Sequence, residues 1–214
     1  MPISLPTLVN TEPERMLLGV NDFELPLPPR EVDEAYVTAV CEQVRNASSP
    51  PLGFDFSRRL YRNFGVDPTR YRPSSESLWR RIRKGLAFPR LHPAVDATNL
   101  LSLQLQVPFG LYDAERIRGG ITAAAGAENS GYEGIGRGWI DLAGKPMLRD
   151  ENGPFGNPSA DSARTRVTTG TRILIHVIFF HPEDPRAEEN THWALHEFAN
   201  LTGAMPRDCT PAPA

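Results

Sequence analysis

Three stretches of this sequence gather polar groups that could do chemistry. The first, Arg90 to Asp113, reads RLHPAVDATNLLSLQLQVPFGLYD. Asp96 and Asn99 stand three residues apart in a helical pattern, so an acid and an amide can aim at one ligand. A helix cap joined to a structural network explains them equally well, since an unpaired buried polar group costs about 1–3 kcal/mol. The second, Gly131 to Gly138, reads GYEGIGRG. Its glycines permit close backbone approach and present N–H groups suited to a carbonyl or phosphate; a tight hairpin is the other explanation. The third, Gly153 to Thr171, concentrates Asp161, Ser162, Arg164 and Thr165 just before an apolar run. The hydroxyls could bind a ribose or a carbonyl, and the acid could accept from an ammonium group. An Asx-type turn that starts a strand would use the same residues.

Other candidates are weaker. The sequence holds no G-x-S-x-G, no G-x-x-x-x-G-K-[ST] and no H-E-x-x-H. His192 and His196 lie one helical turn apart, yet no third ligand stands at a recognisable spacing, so they read as surface or packing residues. His176 falls inside the most apolar run and reads as a hydrogen-bonded core residue. His92 and His181 each precede a proline, which favours extended backbone at a loop corner. Cys41 sits among apolar helix positions, and Cys209 lies in the tail. Neither a metal nor a cofactor is expected.

Charge is distributed unevenly. The net charge of −3 argues against unselective coating of nucleic acid. Between Arg58 and Arg90, however, lie Arg59, Arg62, Arg70, Arg72, Arg80, Arg81, Arg83 and Lys84, opposed by Asp67 and Glu76. This is either a solvated helix face or a patch that meets RNA phosphates.

The elements that must position these groups follow from pattern. The 214 residues suffice for one sizeable core. Residues 1–30, rich in proline, read as an extended arm with one strand near Met16 to Val20. Helical periods run over Glu31 to Arg45, Phe56 to Phe64, Ser74 to Lys84 (capped by Ser74 or Ser75), Pro93 to Gln104 and Ala187 to Leu201. Strand-like runs cover Ile117 to Ala125, Gly138 to Ala143 paired with Pro146 to Asp150 as a hairpin, and Arg172 to Phe180. Residues 31–203 form a single domain with a core at about 72–180, and 204–214 a flexible tail. Helices first and strands second indicate an α+β fold. No apolar run approaches a membrane span, and the N-terminus lacks a secretory pattern, so a cytoplasmic setting is expected.

The ordered motifs resemble a known family. Ala94 to Asn99 followed by Val107 to Asp113, the R-x-S-S-E-x-L-x-R-R-I of Arg72 to Ile82, and D-S-x-R-T-x-V-T-x-x-T of Asp161 to Thr171 resemble free-standing B3/B4 proteins, similar to the editing domain of the phenylalanyl-tRNA synthetase beta subunit. The resemblance implies β-sandwich-like sheets with packed helices, and an amino-acid-sized pocket. There a mischarged amino acid would be hydrolysed from a tRNA 3′ end by a positioned water. It implies Asn99 and Asp161 as catalytic residues, with Asp96, Thr98, Gly110, Tyr112, Glu133, Ser162 and Thr165 around the substrate. Arg72, Arg80, Arg81, Arg83 and Lys84 would meet the RNA. Two departures stand out: Gly110 replaces the family's pocket histidine, and residues 153–162 replace a glycine-rich A-G-I-M-G-G run. A binding module without the chemistry, or an accessory subunit of a synthetase-like assembly, are the alternatives.

Overall fold

Ile173 to Phe180 is apolar and largely branched, and all eight residues are buried. Such a run must be covered on both faces, and the computed structural model, which describes residues 6–48, 50–51 and 53–207, covers it with helices on one side and a second sheet on the other. In chain order, strands β1 (Leu8–Asn10) and β2 (Leu17–Glu24) precede four helices. These are α1 (Glu34–Asn46), α2 (Gly53–Asn63), α3 (Ser74–Arg83) and α4 (Pro93–Leu105). The strands β3 (Phe109–Asp113), β4 (Ile121–Ala125), β5 (Gly131–Gly134), β6 (Gly138–Asp141) and β7 (Pro146–Asp150) follow. The chain continues through β8 (Gly153–Asn157), β9 (Ala160–Asp161), β10 (Ile173–Phe180), α5 (Ala187–Thr202) and β11 (Met205–Pro206).

β10 lies inside an antiparallel sheet of order β11-β2-β10-β3 and pairs with β2 along its whole length. Alternation along it then separates two cores. Leu174, Ile178 and Phe180 join Phe23, Phe109 and Leu111 beneath the helices, with Leu100, Leu101 and Phe198 opposite. Ile173, Ile175, Val177 and Phe179 face the other way, against Tyr112, Ile121, Leu148 and Phe155. Those last three belong to a second sheet of order β1-β4-β7-β8-β9. The result is an α+β fold, a two-sheet sandwich with helices packed on one sheet.

Several sequence expectations change. The first thirty residues are not a detached arm: β1 pairs in parallel with β4, and β2 is an interior strand. Met1 to Leu5, and Cys209 with the rest of the tail from Asp208 onward, lie outside the described residues. β6 does not pair with β7. It forms a tight hairpin with β5, while β7 pairs with β4 and β8. α1 begins later than its apolar period, because the Asp33 carboxylate accepts from the Ala35 and Tyr36 N–H groups and fixes the start. α3 has no side-chain cap; Pro73 precedes it, and the Ser75 hydroxyl is buried without a partner. His176 is buried but not hydrogen-bonded. Its ring lies 4.6 Å from Phe109 and 5.1 Å from Phe198, centroid to centroid, and neither nitrogen has a hydrogen-bond partner among the described residues.

Candidate functional site

The third sequence stretch divides into a structural part and an unsatisfied part. Arg164 grips Asp150 at the end of β7 with two bonds, Nη2 to Oδ1 at 2.8 Å and Nη1 to Oδ2 at 3.0 Å. Asp150 also accepts from the Arg118 and Asn152 N–H groups at 2.8 and 3.0 Å. The Ser162 hydroxyl accepts from the Arg164 N–H at 3.1 Å, an ordinary ST turn. The Thr171 hydroxyl donates to Asp113 at 2.8 Å. These residues lock the loop before β10.

Asp161 differs from them. It lies on β9 beside the outer edge of β3, where the Leu111 N–H reaches its Oδ2 at a long 3.4 Å. Its Oδ1, the Tyr112 hydroxyl and the Thr165 hydroxyl are sealed from solvent and make no hydrogen bond of ordinary geometry among the described residues, although the Tyr112 hydroxyl lies close enough to act on the Asp161 carboxyl. Burial pushes the Asp161 carboxyl from its ordinary 3.8 up to about 7, opposed by the Tyr112 hydroxyl and the Leu111 N–H. Among the described residues no guanidinium or ammonium faces it to hold the charge. Tyr112 and Tyr132 are both pushed up, first by burial and then by the Asp161 charge. The Tyr132 hydroxyl donates to the Ala160 carbonyl at 2.5 Å, and the Tyr61 hydroxyl meets that of Ser159. An acid poised near neutrality thus sits beside tyrosines from β3 and β5, with Tyr61 of α2 reaching the neighbouring Ser159.

Glycines make room for this cluster. A side chain at Gly110 or at Gly156 would overlap the Tyr112 phenol, which lies across both backbones. Gly110 on β3 and the phenol two residues later therefore belong together: the ring fills the space that a larger residue at position 110 would need. Phe155 meets the same ring edge-on at 4.9 Å between centroids. The GYEGIGRG stretch is the β5–β6 hairpin, and it frames the acid. The Ile135 N–H donates to the Asp161 carbonyl at 3.1 Å, and the Ala163 N–H to the Glu133 carbonyl at 2.8 Å. The Glu133 side chain is exposed and stands opposite Trp139.

The α4 candidates are placed otherwise. Asp96 is buried against Arg90, whose Nε lies 3.0 Å from its Oδ2, and it accepts from the Leu91 N–H at 2.9 Å. Thr98 donates to the Ala94 carbonyl one turn back at 2.9 Å. Both are occupied within their own helix and its entry loop. Asn99 is half-buried, and its amide makes no hydrogen bond among the described residues. None of these side chains makes a hydrogen bond or ion pair with Asp161, Tyr112 or Tyr132.

The basic run also divides. Arg72 and Arg80, together with Arg58 from α2, surround the buried Glu76 carboxylate. Arg81 instead donates to the Ala87 carbonyl at 2.8 Å. Arg83 donates to the Arg45 carbonyl and covers the Trp79 ring, while Lys84 is exposed beyond the helix end. On α5, His192 and His196 place their Nε2 atoms 3.1 Å apart. No group of three or more His, Cys, Asp or Glu suited to a metal occurs among the described residues.

Sequence reasoning reached Asp161, Tyr112 and Gly110 but missed Tyr61, Tyr132 and Gly156. Tyr132 stood inside the GYEGIGRG stretch, and a tyrosine between two glycines was a usable signal there. Tyr61 and Gly156 carried none, since their relation to Asp161 exists only once α2 and β8 are folded against it.

An α+β sandwich with a buried, uncompensated acid at the edge of β3 defines the architectural class. Residues 57–200 match the B3/4 domain, and the chain belongs to that family. It is 30% identical to the phenylalanine–tRNA ligase beta subunit of Rickettsia felis over 152 residues, which is 71% of this chain and 16% of that protein. With the corresponding subunit of Rickettsia conorii it shares 30% identity over 104 residues, 49% of this chain and 12% of that protein. The chain therefore spans less than a fifth of the length of these relatives. The N-terminal fragment of the phenylalanyl-tRNA synthetase beta subunit from Pyrococcus horikoshii aligns over 96% of this chain and 51% of its own, with TM-score 0.47 and 14% identity. No helix among the described residues is long and apolar enough to cross a membrane.

Proposed function

We propose that this protein receives the aminoacylated 3′ end of a tRNA in the cytoplasm and hydrolyses the ester of a mischarged amino acid, with Asp161 at the centre of the site. One observation carries the reading: a buried carboxyl and a buried phenol side by side at a sheet edge, with no cation among the described residues to hold the charge. A carboxyl with a pKa of about 7 is divided between its two forms at neutral pH. As a carboxylate it can hold the substrate's ammonium group or take a proton from water as the water attacks the ester carbonyl. The carbonyl–ribose bond then breaks, the ribose oxygen is protonated, and the free amino acid leaves. Backbone N–H groups and the free amide of Asn99 are the candidate donors for the developing oxyanion. Asp96 and Thr98 have internal partners and support α4 rather than the substrate. No cofactor is required for this chemistry.

The test is deacylation of a panel of mischarged tRNAs. Turnover of at least one member is expected, slowed roughly a hundredfold or more by Asp161→Asn, the lower end of what a positioned acid or base contributes. Rates equal to the enzyme-free control on every tRNA would refute the hydrolase. A second reading, a binding module without the chemistry, is favoured by Gly110 and the Tyr112 ring that fills the space over it. Calorimetric binding of an amino acid or tRNA without any turnover would select it.

A further inference from the structure

Glu76 is 2% exposed, yet three arginines converge on it. Arg58 binds it in a fork, Nε to Oε2 at 2.8 Å and Nη2 to Oε1 at 2.7 Å. Arg80 donates from Nε to Oε1 at 2.8 Å, and Arg72 Nε lies 3.6 Å from the same oxygen. Burial raises the Glu76 carboxyl, but the bonds from Arg58 and Arg80 outweigh it and hold the group below its ordinary range. It is therefore an anion at neutral pH.

One forked guanidinium satisfies both oxygens of a carboxylate and is enough to pin α2 to α3. The other two arginines exceed that structural need. Asp55 lies 4.0 Å from Arg62 and also acts on Arg58, yet three arginines against Glu76 leave the group with an excess of positive charge. The side chains of Arg58, Arg72 and Arg80 are 34%, 38% and 47% exposed, and the terminal nitrogens of Arg72 and Arg80 have no partner among the described residues. Like charges held together at a surface are a cost that a bound anion relieves. The cluster also adjoins the candidate site. The Ser159 hydroxyl donates to the Arg72 carbonyl at 2.8 Å, and the Ser74 N–H to the Pro158 carbonyl at 2.9 Å. Ser159 is two residues from Asp161.

We infer that Arg58, Arg72 and Arg80, organised by Glu76, form a docking site for backbone phosphates of an RNA whose 3′ end lies at Asp161. The inference rests on the RNA-directed reading above, but it assigns the phosphate contacts to one cluster. The basic run as a whole does not serve: Arg81 and Arg83 donate to the Ala87 and Arg45 carbonyls rather than to Glu76.

The experiment measures binding of an unacylated tRNA across a salt series, with Arg72→Ala/Arg80→Ala as the main variant, which leaves the Arg58–Glu76 fork in place. Because no bond is broken, the readout is independent of whether the protein hydrolyses anything. The expected result is a loss of about tenfold or more in affinity near 0.1 M salt. The slope of log K against log salt should shrink by roughly two, one for each phosphate contact removed. Arg81→Ala/Arg83→Ala, which deletes the same charge from the same helix, should lose less than half as much. Glu76→Gln adds positive charge overall but loosens the cluster, so weaker binding is expected where net charge alone demands tighter. Equal losses in the two double variants, an unchanged slope, or tighter binding by Glu76→Gln would each overturn the assignment.

Discussion

Asp150 and Asp161 are eleven residues apart in sequence on one sheet, and they have opposite fates. Asp150 receives four hydrogen bonds, two of them from one guanidinium. Asp161 receives one long bond from a backbone N–H, has the Tyr112 hydroxyl beside it and meets no cation among the described residues. The first is a fastener whose charge is fully met by the fold. The second keeps a charge that the fold does not meet, which raises its proton affinity and leaves lone pairs for something else. Buried perturbed acids of this kind cluster at functional sites, whereas fully bonded ones are structural.

The same substitution at the two positions should act with opposite sign. Asp150→Asn removes the anion under Arg164 and leaves a part-buried guanidinium uncompensated, for a loss of about 3 kcal/mol in urea unfolding. Asp161→Asn should stabilise the protein at high pH. With the folded pKa raised from 3.8 to about 7, the folded state keeps a proton that the unfolded chain has released between those values. The Asp161 contribution to stability therefore falls as pH rises from about 4 to about 7 and is level above. The Asn variant lacks this fall, so it should match wild type near pH 4 and exceed it by on the order of 2–4 kcal/mol at pH 8. A variant no more stable than wild type at pH 8 would erase the contrast between the two acids.

His176 provides a reversed case. Burial lowers its ring from 6.5 to about 3, so the unfolded chain takes up a proton between these values that the folded protein refuses. Stability should decline as pH drops through that window, by up to about 1.4 kcal/mol per pH unit. His176→Leu should flatten this slope in thermal melts between pH 4 and 6. The smallest expected effect concerns Gly110. Gly110→Ala presses a methyl against the Tyr112 phenol and should cost about 1–3 kcal/mol. Tyr112→Ala in the same chain should remove most of that increment, read as a coupling energy in a double-mutant cycle.

Much of the frame was legible, for local reasons. β10 announced itself because a run of eight residues, apolar but for His176, can only be a doubly covered strand or a buried helix, and its branched residues favour the strand. α5 ends where Gly203 takes a positive φ of 74°, as its glycine indicated. Strand partners were not legible. The run from Gly138 to Asp150 looks like a hairpin through Gly144, but Ile135-Gly136-Arg137 makes the tighter turn and gives β6 to β5. Alternation in a strand fixes its faces and leaves its neighbour open. The same limit explains the site. Asp161 was one of four polar residues named together, and only the resemblance gave it a catalytic role; its surroundings come from β3 and β5, and the structural duty of Asp96 depends on Arg90 folding back over the start of α4.

The central claim is that Asp161 is kept uncompensated for work on an aminoacyl ester. Single-turnover deacylation of a responsive mischarged tRNA, followed from pH 5 to 9 in wild type and in Asp161→Asn, tests it directly. The rate should rise through an inflection near pH 7 in wild type, and the variant should be slow and show no such inflection. A variant that deacylates as fast as wild type, with the same inflection, would contradict the account.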